Sequence, residues 1–174
     1  EALRLQPNLP QAHVAAGWVH YVEGDFEEAL RDYEAALEGL PNDAEIVARV
    51  GYTHRRLGHW PEVFEAYEKA IQLNPRNATL FYDLGGHSFA ANRRYAEAVA
   101  AYDRAFALAP DLYDAVLRKG LIYVHWRGQL DTLRAVVDQL PADLHLPGVD
   151  LARVDLAPWE RDPEGLLRVL DATP

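Results

Sequence analysis

The 174-residue chain contains no cysteine and no methionine. Without cysteine there is no disulfide, no thiolate zinc site and no cysteine nucleophile. Ser88 is the single serine; it sits in a helical stretch with no triad partner nearby. There is no P-loop, no Gly-x-Ser-x-Gly turn and no convincing carboxylate pair, so catalysis has no support and no cofactor is expected. No stretch approaches the roughly 18 continuous apolar residues of a membrane span, which argues against membrane insertion. A dense basic run is also missing. Lys and Arg number 17 against 27 Asp and Glu, a formal net charge of −10, and Arg55-Arg56 and Arg93-Arg94 are isolated pairs. So acidic a chain repels phosphate backbones, and nucleic acid is not an expected partner. The opening Glu1-Ala2-Leu3-Arg4-Leu5 is neither a translation start nor a signal peptide. The chain is therefore expected to be a piece of a longer protein, cytoplasmic in location.

What is present is a repeat. Pro7, Pro41 and Pro75 recur every 34 residues, and Gly17 and Gly51 keep the same interval. A fixed period of this length marks a stacked array of like units, each burying its apolar face against its neighbours. Within 10–43, Pro10 suits the first turn of a helix. Val14, Gly17, Trp18 and Tyr21 follow at helical spacing. Gly24-Asp25 ends that helix and is expected to cap the next, with Glu27 and Glu28 favourable in its first turn. Phe26, Ala29, Leu30, Tyr33, Ala36 and Leu37 form the apolar stripe of the second helix. Small residues at Gly17, Ala29 and Ala36 permit close helix crossing, and Phe26 and Tyr33 fill the space beside it.

The remaining chain divides on the same pattern. Residues 1–9 read as the end of a preceding repeat, 10–43 as the first complete one and 44–77 as the second. The third, 78–111, carries one extra residue, since Pro75 to Pro110 spans 35; the excess lies between Gly85 and Tyr95. Residues 112–141 form a fourth repeat whose second helix Pro141 cuts short, and 142–174 hold a loop and a degenerate fifth hairpin.

Gly17, Ala29, Tyr33, Ala36 and Pro41, then Gly51, Tyr67, Ala70 and Pro75, then Leu84, Gly85, Ala98, Tyr102, Ala105 and Pro110, resemble the tetratricopeptide repeat pattern. That resemblance implies an all-α fold, a right-handed superhelical solenoid of antiparallel helix hairpins whose first helices line a concave groove. It also implies a non-catalytic scaffold that binds a peptide or a partner protein. Trp126-Arg127-Gly128 and Trp159-Glu160-Arg161-Asp162 resemble repeat regions attached to bacterial signalling proteins. Chaperone-binding members carry a Lys-x-x-Gly-Asn carboxylate clamp. Here its places hold Val14 and Trp18, Ala48 and Tyr52, and Thr79 and Asp83, so that clamp is absent.

The resemblance places Val14, Trp18, Tyr21, Tyr52, Arg55, Tyr82, Phe89 and Leu121 on the groove face. This aromatic strip with one cation suits an apolar or helical peptide. The alternative is that Trp18, Tyr52 and Tyr82 simply pack between hairpins. The seven histidines show no motif such as His-Glu-x-x-His, although His13 and His20 share a helix face and His20 and His54 are one period apart. No metal site is expected from them. Two further readings are a regulatory region packing on a fused kinase or cyclase, and self-association through the ends of the array.

Overall fold

The computed structural model describes residues 9–141 together with Leu144, Asp162, Gly165 and Arg168. Apart from those positions, the opening stretch 1–9 and the fifth hairpin expected over 142–174 lie outside the described residues. The chain forms two compact units, Glu1–Ser88 and Phe89–Pro174.

The first unit begins with α1 (Pro10–Glu23) and α2 (Phe26–Gly39), joined by two residues. Gly24 takes a left-handed φ of 91°, which an L side chain would resist, and this turns the chain sharply. The Asp25 N–H donates to the His20 carbonyl at 2.9 Å and the Gly24 N–H to Tyr21 at 3.3 Å. This paired closure satisfies the last carbonyls of the helix. The same device recurs one period later between α3 (Ala44–Leu57) and α4 (Trp60–Leu73), with Gly58 at φ 76°. Asp43 caps α3 by accepting from the Glu45 and Ile46 N–H groups at 2.9 and 3.1 Å. Asn77 does the same for Thr79 and Leu80 one period on, at 3.0 and 3.4 Å. Asp25, which the sequence marks as the cap of α2, makes no side-chain capping bond.

Packing follows the small-residue logic. Ala29, Tyr33 and Ala36 of α2 are buried with Ile46 of α3. Val47 and Ala48 of α3 are buried with Ala66 and Ala70 of α4 and with Leu80. Each fully buried aliphatic side chain of the Leu80 kind contributes about 1.5–3 kcal/mol.

The third repeat opens differently. Leu80–Gly86 is π-helical and runs directly into α5 (His87–Ala91). Gly85 lies under the Tyr67 ring, where a Cβ would stand 2.6 Å from Cε2.

In the second unit, α6 (Tyr95–Leu108), α7 (Tyr113–Arg127) and α8 (Leu130–Asp138) pack in succession. The turn before α6 puts Arg93, not glycine, in the left-handed region at φ 56°. Leu117, Leu121 and Val124 meet Leu130, Leu133, Val137 and Leu140 in one core. Helix α8 has 9 residues where α2 has 14, ending ahead of Pro141.

One face of α1 differs from its counterparts. Val19 is 51% exposed, whereas Thr53 and Ile122, two residues past the glycine of their own helices, are 0% and 5% exposed. Helix α2 packs against α3, and α6 against α7.

Candidate partner-binding cleft

The first unit carries an open cleft of about 560 Å³, lined from α1, α2, α3, the α4–π connection and the π-helical segment. Helix α3 forms its floor. Glu45, Ala48, Arg49, Tyr52 and Arg55 all line it, at the three- and four-residue spacing that keeps one helix face together.

Trp18 stands at one rim, 52% exposed, yet it is held on two sides. Its ring stacks on Tyr21 with centroids 5.9 Å apart and planes 11° apart, and Arg49 Cζ lies 5.5 Å from its centroid. Arg49 Nη2 donates to Glu45 Oε1 at 2.6 Å. The Arg49 Nε–H is shielded from solvent and has no acceptor among the described residues. At the other rim, Arg55 Nη1 donates to the Asp83 carbonyl at 2.9 Å, and its Cζ lies 5.6 Å from the Tyr52 ring. Arg55 thus ties α3 to the π-helical segment.

Titration behaviour follows burial. The Tyr52 hydroxyl is pushed up to about 12, by desolvation first and then by the Asp83 carboxylate. Burial also raises Tyr33, with Arg49 opposing. Asp83 is raised by burial, with the Arg55 cation pulling the other way. All three shifts report a cleft wall partly withdrawn from water.

Of the residues expected to form a groove, Trp18, Tyr21, Tyr52 and Arg55 meet here. Val14 packs instead on the Ala29–Tyr33–Ala36 core. Tyr82 makes an edge contact with His87, centroids 4.7 Å apart, and does not line the cleft. Phe89 lies in the second unit beneath Arg94, whose Cζ is 4.6 Å from its centroid. Leu121 is buried in the second unit's core at 6% exposure. Sequence reasoning passed over Arg49 as a cleft residue. Its signal was present in the Glu45, Arg49, Tyr52 spacing on one face of α3.

Successive two-helix hairpins closed by left-handed turns, with small residues at each crossing, define an all-α hairpin-repeat protein. The sequence model of the tetratricopeptide repeat matches residues 10–43, and a second one of that description matches 49–111 and 84–127. The chain belongs to the tetratricopeptide repeat family.

Among solved structures, Pseudomonas aeruginosa PilF is similar over 99% of this chain and 81% of its own, at 19% identity and a TM-score of 0.75. MamA is similar over 89% of this chain and 88% of its own, at 24% identity and 0.69. The first repeat domain of Spaghetti (RPAP3), solved bound to the HSP90 peptide SRMEEVD, covers 67% of this chain and 91% of its own, at 18% identity and 0.63. No curated protein matches the chain by sequence. Among the described residues, no helix is long and apolar enough to cross a membrane.

Proposed function

We propose that this chain is a non-catalytic protein-interaction scaffold whose first unit receives a peptide segment of a partner in the cleft between Trp18 and Asp83. The observation that carries this reading is Trp18, a large apolar ring left half in water while Tyr21 and Arg49 fix its orientation. An aromatic anchor presented rigidly beside arginines is the residue type that dominates interface energies.

The partner's character follows from the lining. Trp18, Tyr21, Tyr52 and Ala48 offer apolar surface, and Arg49 and Arg55 are already engaged by Glu45 and by the Asp83 carbonyl. The places of a carboxylate clamp hold Trp18, Ala48, Tyr52, Thr79 and Asp83 within this lining. An apolar or amphipathic peptide suits the cleft better than an acidic chain terminus of the kind held by the repeat domain bound to SRMEEVD.

Peptide-display selection on the purified chain tests this. Peptides chosen on the parent are expected to lose at least about tenfold in affinity on Trp18→Ala, with the melting temperature nearly unchanged because the ring is exposed. Tyr52→Phe is the safe second probe, since Tyr52 packs against the Val47–Ala70 core. Selected peptides that bind Trp18→Ala as tightly as the parent would remove the cleft from the proposal.

A further inference from the structure

Away from that cleft, two histidines stand closer than packing requires. His54 lies in the last turn of α3 and His59 directly precedes α4. The turn between them is closed by Gly58 at φ 76° and by the His59 N–H donating to the His54 carbonyl at 3.0 Å. The two rings are therefore carried on a rigid backbone. Their Nδ1 atoms are 3.4 Å apart, with ring planes inclined by 47°.

That separation is informative. N–H hydrogen bonds centre near about 2.9–3.0 Å, so 3.4 Å is a poor bond between the rings. Two imidazole nitrogens on one tetrahedral ion, each about 2.0–2.1 Å from it, stand about 3.3–3.4 Å apart. We propose that His54 and His59 form a two-imidazole chelate for Zn²⁺ through their Nδ1 atoms.

The surroundings support a cation. A cavity of about 200 Å³ beside His54 is walled by Glu62 and Glu65 over apolar Leu37 and Val50, with Lys69 as the opposing charge. Glu62 follows His59 by three residues, one helical turn on, at the start of α4. Among the described residues, no three His, Asp or Glu side chains already converge on one point. The protein therefore supplies two ligands and solvent the others. The spacing His54-x-x-x-x-His59 escapes motif searches because its geometry comes from a left-handed turn, not from one helix face.

Calorimetric titration of the 174-residue chain with Zn²⁺, paired with thermal melts, tests the site. One Zn²⁺ per chain is expected, with a rise in melting temperature that Mg²⁺ does not reproduce. His54→Gln and His59→Asn should each weaken Zn²⁺ binding at least tenfold and abolish the rise. His125→Ala, far along the sequence in α7, should leave both unchanged. In the unaltered chain, Zn²⁺ should perturb the imidazole NMR signals of His54 and His59 ahead of the others. No Zn²⁺-dependent shift at millimolar metal, undiminished binding in His59→Asn, or perturbation centred on other histidines would overturn the assignment.

Discussion

Gly17 of α1 lies so close to the ring of Tyr33 on α2 that an added Cβ would stand 2.8 Å from Cε1 and 2.9 Å from Cδ1. Tyr33 is 1% exposed and packs with Ala29, Ala36 and Ile46, so moving its ring disturbs that core. Glycine in mid-helix costs about 0.5–1 kcal/mol relative to alanine, and the close approach repays that cost.

Gly17→Ala is therefore expected to destabilise the chain by about 1–3 kcal/mol, the range for overpacking a filled core, less the helix-propensity gain. Gly51→Ala should cost less, because its nearest neighbours are Ala66 Cβ and Leu84 Cδ2, both at 3.1 Å, and the leucine end can turn. Urea unfolding of the two variants side by side checks the order; a Gly17→Ala midpoint at or above the Gly51→Ala midpoint contradicts it.

Arg93 occupies the left-handed turn position filled by glycine at 24, 58 and 128. A non-glycine residue there carries a penalty of about 1–2 kcal/mol, while glycine adds about 0.4–1 kcal/mol of unfolded-state entropy to be lost. Arg93→Gly should stabilise by roughly 0.5–1 kcal/mol on balance. A lowered melting temperature would show that the side chain matters more than its backbone.

Asp32 of α2 accepts from two histidines of α1, His13 Nδ1 at 3.1 Å and His20 Nδ1 at 2.9 Å. An amide keeps one acceptor and loses the charge, so Asp32→Asn should cost about 1 kcal/mol through part-buried, charge-assisted bonds. In a double-mutant cycle with His20→Ala, the two losses should fall short of adding. Full additivity would mean that the pair is not coupled.

His54 has a folded-state pKa below its unfolded value, so the unfolded chain binds more protons there. Its contribution is present above the unfolded pKa and is lost as pH falls from near neutrality through the lower folded value. His54→Gln should flatten the decline in urea midpoint on acidification to about pH 5. In metal-free buffer, equal slopes for parent and variant would assign the acid sensitivity elsewhere.

Much of the fold was legible in residue order. The 34-residue interval of Pro41 and Pro75, the turn glycines at 24 and 58, and the alanines at 29, 36 and 70 encode hairpins locally. Turn and close-crossing chemistry leaves few substitutes at such places. The site was legible only in part. Trp18, Tyr21, Tyr52 and Arg55 were readable from helical phase, yet Arg49 meets Trp18 across 31 positions of chain. Phase within a helix says which face a residue occupies, not which ring from another repeat lies opposite.

Residue order alone sets the helices, their turns and the repeat, because these depend on interactions within about one hairpin. Packing between helices set the π-helical form of Leu80–Gly86. It likewise decided that Leu121 is core while Trp18 is surface, and that His54 and His59 face one another. Those outcomes rest on which helix packs against which. Such terms come from contacts between elements and leave no period in the chain.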